Sequence, residues 1–309
     1  MSIYGLLAGK GPSGFGYAST AEQVTAGLSL SGQNVLVTGC NSGVGFETLR
    51  VLALRGAQVL GAARTLEKAH EACSRVGGRT LPLACELSEP SSVQACVSAV
   101  QAAGLALDAI VCNAGVMALP KLEQSHGYEL QFFTNHIGHF MLVTGLLDAL
   151  SPRGRVVMLS SSAHRQAPAA GIEFDNLDGR KGYAAWRAYG QSKLANLLFA
   201  KQLARRLANT QKTANAVHPG VIRTNLQRHM NPLLSAVLTA AGPLALKSVA
   251  EGAATQVYAA VHPAMAGVSG QFLANCNVAR PRADAESEQL ARKLWDVSEQ
   301  IVAGLRAGA

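Results

Sequence analysis

Val35-Leu36-Val37-Thr38-Gly39-Cys40-Asn41-Ser42-Gly43-Val44-Gly45 is the run that decides the fold of this chain. Val35 to Val37 read as a strand, because branched apolar residues suit a pleated, buried surface. Behind them the spacing T-G-x-x-x-G-x-G reads as a tight turn that opens a helix. Glycines there let the chain reverse, let the backbone approach a pyrophosphate, and let the helix pack close to the strand. A helix that starts at such a turn aims free N–H groups and the positive end of its dipole at phosphate. Gly39, Asn41, Ser42, Gly43, Val44 and Gly45 are therefore candidate cofactor contacts. An ordinary strand-to-helix turn can carry glycines too; the position directly behind the first strand favours the nucleotide reading.

Outward from this run, short β-branched stretches alternate with longer helical patterns. Strand-length runs fall at 35–37, 57–60, 80–83, 109–111, 155–159 and 214–217, with a seventh at 270–273. Helical patterns fall near 43–55, 65–76, 90–103, 122–149, 184–209 and 248–261. Such alternation gives a parallel sheet covered by helices on both faces. The expected architecture is α/β: a single Rossmann-type doubly wound domain over residues 33–309, with a seven-stranded parallel sheet in the order 3-2-1-4-5-6-7. Its site belongs at the carboxyl ends of the strands, near the switch point. Residues 1–32, rich in Gly, Ser and Thr and without a sustained period, read as an N-terminal arm.

The 309 residues are 49% hydrophobic and 15% charged, which is globular rather than disordered. A net charge of +8 suits an anionic partner such as a phosphorylated cofactor. No Lys/Arg block and no basic stretch interleaved with aromatics points to nucleic acid, so no such partner is expected. The six cysteines include no C-x-x-C pair and no His at zinc-ligand spacing. They read as small core residues of a reducing compartment, and no metal is expected. The N-terminus lacks a secretory pattern. The apolar stretch 230–246 is interrupted by Asn231, Pro232, Gly242 and Pro243 before it reaches a clean membrane span. A soluble intracellular protein is expected, cytoplasmic or, in a photosynthetic eukaryote, plastid, with room for peripheral membrane contact.

Tyr189-Gly190-Gln191-Ser192-Lys193 supplies Y-x-x-x-K, a spacing that puts Tyr189 and Lys193 on one helix face. A phenol with a pKa of about 10 is a poor base at neutral pH, and a neighbouring ammonium favours its ionised form. Alone, the motif also fits a half-buried Tyr beside a solvated Lys. It is accompanied, in chain order, by Asn113-Ala114-Gly115 after the fourth strand and by Thr134-Asn135-His136-Ile137-Gly138-His139-Phe140. Ser160-Ser161-Ser162 closes the fifth strand, and His218-Pro219-Gly220-Val221-Ile222-Arg223-Thr224 follows the sixth. His136 and His139, with no acidic or Cys partner nearby in sequence, read as structural rather than metal-binding.

This ordered set, spanning residues 34 to 297, resembles the short-chain dehydrogenase/reductase family of the classical type. The resemblance implies hydride transfer between a nicotinamide dinucleotide and a carbonyl or alcohol. It implies Tyr189 as acid/base, Lys193 as the residue that holds the ribose and tunes Tyr189, and Asn135 as the holder of a relay water. Alignment on the family pattern selects Ser161 to polarise the carbonyl oxygen, with Ser160 and Ser162 as neighbouring alternatives. Asn113, Ala114 and Gly115 would line the adenosine side, and Pro219, Gly220, Val221 and Thr224 the nicotinamide ribose and diphosphate. Glu86-Leu87 stands where the family usually has Asp-Leu against the adenine. NAD-preferring members carry an acid at the end of the second strand; here Ala63 takes that place and Arg64 follows. A guanidinium pairs with a 2′-phosphate that a carboxylate would repel, so NADP(H) is expected over NAD(H). The plainer reading of Arg64 is a solvated helix start.

The runs 135–140, 189–196 and 290–295 further resemble the retinol dehydrogenase and WW-domain oxidoreductase-like branch. The arm around 10–16 and 19–22 resembles plant plastid-envelope relatives of that branch. A substrate lid is expected at about 225–247, where Leu226, Met230, Leu233, Leu234, Val237 and Leu238 lie between Arg228 and Lys247 or beside them. It reads either as a packed amphipathic helix or as a mobile apolar cover that admits a lipophilic substrate. Monomer and homodimer both fit. Two alternatives share part of the pattern: a light-dependent protochlorophyllide reductase-like enzyme, and an NADP-sensing, membrane- or import-associated binding protein.

Overall fold

Period-two side-chain direction along the strands divides the core in two. The structure, a computed structural model, describes residues 8–222 and 246–307. Its strands are β1 (Asn34–Thr38), β2 (Gln58–Ala63), β3 (Thr80–Ala84), β4 (Leu107–Cys112), β5 (Gln124–Ser125), β6 (Tyr128–Glu129), β7 (Leu150–Leu159), β8 (Thr213–His218), β9 (Phe272–Ala274) and β10 (Asn277–Val278). The helices are α1 (Ala21–Val24), α2 (Gly43–Leu54), α3 (Leu66–Ser74), α4 (Pro90–Ala102), α5 (residues 130–145), α6 (Ala185–Arg206), α7 (Val249–Val261) and α8 (Glu288–Ala307). Along β1, Leu36 joins one core while Val35 and Val37 join the other. Ile110 and Val111 of β4, and Val156 and Val157 of β7, divide in the same way.

The main sheet runs β10-β9-β8-β7-β4-β1-β2-β3. From β3 to β9 every pairing is parallel, which is the seven-stranded order expected from the alternation. Strand β10 adds an unexpected eighth member, antiparallel to β9. Its turn, Asn275-Cys276, holds both residues at positive φ, 52° and 63°. That is the two-residue hairpin geometry usually signalled by Asn-Gly, and a Cys in the second place hides it from the sequence. The helix expected over 122–149 is shorter. Residues 124–129 form the β5–β6 hairpin instead, because His126 and Gly127 at φ 49° and 82° cannot continue a helix. Strand β7 begins at Leu150, five residues before the expected start, through a Pro152-Arg153-Gly154 run that reads as a turn.

One core lies under α4, α5, α6 and α8, the other under α1, α2, α3 and α7. In the first, Phe140, Phe199 and Trp295 pack at centroid distances of 5.0–5.5 Å, Phe199 stacked on Trp295 and Phe140 edge-on to it, and lock α8 against α5 and α6. In the second, α1 begins with a Thr20–Gln23 capping box and buries Ala21 and Val24. The preceding arm is tied to β10: Ser13 N donates to Asn277 Oδ1 at 3.0 Å, and Asn277 Nδ2 donates to Phe15 O at 3.1 Å. All six cysteines are buried and unpaired.

Trp295 is 4% exposed and carries much of the α8 contact. Trp295→Ala should lower unfolding free energy by about 3–5 kcal/mol, the usual range for removing a large buried aromatic. Denaturant titration measures it; a loss below about 1 kcal/mol would show that α8 is peripheral to the fold.

Candidate active site

The site begins where β1 parts from its neighbours. Strand β1 pairs with β2 on one side and β4 on the other, so the chain leaving it enters the crevice between two diverging connections. Gly39 and Gly43 take φ of 67° and 53°, a region side chains disfavour. A Cβ on Gly45 would collide with the Gly39 carbonyl and with Asn113 Nδ2, so only glycine lets α2 start this close to β1. Ser42 sits at the N-cap of α2 without a side-chain cap bond. The first turn of α2 therefore carries no side-chain cap, an arrangement that fits a diphosphate. Asn41 and Ser42 are exposed beside it, while Val44 and Gly45 are buried.

Asn113 Nδ2 donates to Thr38 O at 2.9 Å, and its Oδ1 accepts from Gln256 Nε2 at 3.2 Å. Thr38 Oγ1 accepts from the Asn113 and Ala114 amides at 2.9 and 3.0 Å. A Cβ on Gly115 would stand 2.7 Å from Asn135 Oδ1 and 3.5 Å from Lys193 Nζ, so the N-A-G turn borders the candidate catalytic groups. On the adenosine side, Glu86 Oε1 accepts from Ser88 N and Ser88 Oγ at 3.2 and 3.0 Å. Glu86 Oε2 lies 3.6 Å from Arg64 Nε, and the Arg64 side chain is 63% exposed. Ala63 and Leu87 are buried, so the end of β2 offers no carboxylate of its own.

Four candidate catalytic residues converge from β7, α5 and α6. The Ser161 side chain pulls the pKa of the Tyr189 phenol down, and Ser161 Oγ accepts from Ala163 N at 3.2 Å. Ser160 is occupied elsewhere, donating to Lys193 O at 2.7 Å, and Ser162 is exposed. Lys193 Nζ donates to Leu159 O at 3.0 Å and lies 5.6 Å from the Tyr189 ring centroid. Asn135 Oδ1 accepts from Val116 N at 2.8 Å; its Nδ2 donates to Val116 O and Ser192 Oγ, both at 2.9 Å. Burial pushes the Tyr189 phenol up to about 12, against the pull of the Ser161 side chain, and brings Lys193 down to about 8. In the chain alone, then, desolvation is the largest influence on both groups.

Gly220 takes a φ of 96°, Pro219 is partly buried, and Val221 is 50% exposed. Thr224 and all but the last two residues of the 225–247 lid lie outside the described residues. Two residues of this region escaped sequence reasoning. His218 Nδ1 accepts from Ser162 N at 3.2 Å and Gly220 N at 3.4 Å, pinning the serine turn to the P-G loop. Lys247 is 1% exposed, and a Cβ on Gly220 would meet its Cδ at 2.6 Å. Only the position of His218 in the motif hinted at its role, and Lys247 read only as the charged end of the lid. Among the described residues no group of three or more His, Cys, Asp or Glu could hold a metal ion, and no helix is long and apolar enough to cross a membrane.

Residues 33–233 match the family described as short chain dehydrogenase. The chain is 42% identical to short-chain dehydrogenase TIC 32 B, chloroplastic, of Brassica napus, over 99% of this chain and 100% of that one. It is 36% identical to human retinol dehydrogenase 14, over 90% and 88% respectively. A solved structure of an uncharacterized Mycobacterium paratuberculosis protein superposes with a TM-score of 0.74 at 33% identity, covering 91% of this chain and 97% of that one. A glycine cradle at the head of α2, a Tyr–Lys pair on one face of α6 and these likenesses agree: the chain belongs to the short-chain dehydrogenase/reductase family and is an NAD(P)-dependent oxidoreductase.

Proposed function

We propose that this protein is an NADP(H)-dependent oxidoreductase that interconverts lipophilic alcohols with their aldehydes or ketones, using Tyr189 as acid/base. The observation that carries the reading is the buried Tyr189 with Lys193 Nζ 5.6 Å from its ring centroid, beside the N-A-G turn at Gly115. When bound, the nicotinamide supplies or accepts the hydride. In the reducing direction Ser161 holds the carbonyl oxygen and Tyr189 delivers its proton. A phenol held near 12 keeps that proton until the oxygen needs it. Lys193 holds the ribose and, as a cation, lowers the cost of the phenolate left behind; Asn135 positions the relay that restores the proton. In the oxidising direction the phenolate must form first, which the positive charge of an oxidised nicotinamide assists.

The adenosine end supports NADP(H). Arg64 is exposed beside the place of the ribose-binding acid, and Ala63 leaves no carboxylate there to repel a 2′-phosphate. Asn41 and Ser42, with Gly39, Gly43 and Gly45, would take the diphosphate; Asn113, Ala114, Glu86 and Leu87 the adenosine; Pro219, Gly220, Val221 and Thr224 the nicotinamide half. The relative named retinol dehydrogenase 14 supports a lipophilic substrate, and the chloroplastic Brassica relative supports a plastid location.

Tyr189→Phe should keep cofactor affinity while turnover falls by about 10²–10⁴-fold, the scale of a lost acid/base. Normal turnover of a good substrate by this variant would rule the mechanism out. Arg64→Ala should weaken NADPH binding by about 1.5–3 kcal/mol, the scale of a charge-assisted hydrogen bond, and leave NADH untouched. Equal losses for both coenzymes in a fluorescence titration would make Arg64 a surface residue only. Along an aldehyde series of increasing chain length, kcat/KM should rise, each buried methylene adding up to about 0.8 kcal/mol to transition-state binding. A flat series, or preference for sugars or short hydroxy acids, would remove the lipophilic assignment and leave the oxidoreductase intact.

A further inference from the structure

The imidazole of His139 is fully buried, and both its ring nitrogens are engaged. Nδ1 stands 2.9 Å from Asn135 O, and Nε2 stands 2.9 Å from Thr38 Oγ1. Thr38 Oγ1 already accepts two amide protons, from Asn113 and Ala114, so its own proton is what it offers. The other acceptor in range, Val111 O, is at 3.5 Å, the far limit of a hydrogen bond. Nε2 therefore accepts, and Nδ1 carries the ring proton and donates it to the Asn135 carbonyl. Burial holds His139 down to about 4, so the ring stays neutral and keeps this tautomer at neutral pH.

The carbonyl it reaches is unusual in its backbone setting. Residues 133–137 of α5 form a π turn, in which Gly138 N donates to Phe133 O, five residues back. Such turns loosen the regular helix ladder and occur disproportionately at functional sites. The Asn135 side chain is spent on Val116 and Ser192. What Asn135 can still offer a proton relay is its main-chain oxygen, which has two lone pairs. One is taken by the His139 imidazole at 2.9 Å.

We propose that His139 is a positioning residue: its Nδ1–H holds the Asn135 carbonyl in place for the relay that reprotonates Tyr189, and its Nε2, through Thr38, ties that carbonyl to the strand end carrying the cofactor loop. The inference rests on the hydride-transfer reading above. His136 supplies the contrast on the same helix. It is equally buried, but its ring packs among Phe132, Phe140 and Phe199, and its Nε2 bonds Ser298 Oγ at 2.9 Å, away from the site.

The test uses the full chain with NADPH and an aldehyde, measuring kcat, both KM values, the solvent deuterium isotope effect and the melting temperature. His139→Leu should lower kcat by roughly 10²-fold, as misplacing a relay group by about an ångström can, with both KM values unchanged and a larger isotope effect. His139→Gln, whose amide can still donate to the same carbonyl, should recover part of the loss. His136→Gln should lower the melting temperature and leave kcat and the isotope effect as they were. Wild-type kcat and isotope effect in His139→Leu would overturn the proposal, as would a change confined to melting temperature. If His139→Leu fails to fold, Thr38→Val decides: it removes the proton that fixes the tautomer, and wild-type kinetics there, or its own failure to fold, overturns the proposal. Tyr189→Phe run alongside separates the two levels. Turnover by that variant brings down the hydride-transfer reading, whereas an inactive Tyr189→Phe beside a normal His139→Leu removes only the role of His139.

Discussion

The hydroxyl of Thr38 is the constraint on which the cofactor crevice depends. It stands at the last position of β1, where the sheet's connections part, and it meets three groups from two other elements. Two amides from the turn after β4 donate to it, and it faces the imidazole on α5. A hydroxyl has one proton and two lone pairs, so this side chain is fully subscribed. Asn113 Nδ2, bonded to the Thr38 carbonyl, closes the same junction from the other side. The glycines are consequences of this closeness. With β1 and the β4 turn held together, α2 can start only if Gly39 and Gly45 present no side chains to each other or to Ala114. The glycine turn, the N-A-G turn and the π turn of α5 are thus one arrangement seen from three sides.

A second constraint is electrostatic. Lys193 is 3% exposed and donates to one carbonyl, Leu159 O, while Tyr189 is 8% exposed beside it. Burial disfavours the charged form of each, raising the phenol and lowering the ammonium. Desolvation is the largest influence on each of them in the chain alone. The site is therefore tuned for a neighbour that brings charge and hydrogen-bond acceptors of its own, which a dinucleotide does. Lys247 shows the same tension behind Gly220. Its ammonium is buried, has no hydrogen-bond partner among the described residues, and lies 4.6 Å from the Tyr17 ring centroid. Two lysines with depressed affinity for their protons thus sit close to the serine turn and the P-G loop.

The strands and their order were legible because strong β-branched runs at 35–37, 109–111 and 155–159 survive without tertiary help. The motifs were legible because each needs particular residue types at fixed spacing. What was hidden had no period to read. Two-residue strands such as β5, β6 and β10 contain too few positions for alternation, and the Asn275-Cys276 hairpin lacks its usual glycine. The α1 capping box, Thr20 to Gln23, was present in the text, but a four-residue helix gives no amphipathic repeat to attract notice. His139 was readable as a buried histidine and no more. Its partners are an oxygen one helical turn away and a hydroxyl 101 residues distant, and only the folded chain brings the second to it.

Magnitudes bear on the coenzyme question as well. Arg64 faces Glu86 at 3.6 Å, which at first sight cancels the cation offered to a 2′-phosphate. But the Arg64 side chain is 63% exposed and Glu86 is already held by Ser88, so their pairing is a solvated one. Exposed ion pairs contribute about 0–1 kcal/mol. A guanidinium on a phosphate, charge-assisted and able to engage two oxygens, is worth about 1.5–3 kcal/mol per hydrogen bond. On the proposed NADP(H) reading, Arg64 would therefore leave Glu86 for the phosphate at a net gain, while Glu86 keeps its bonds to Ser88.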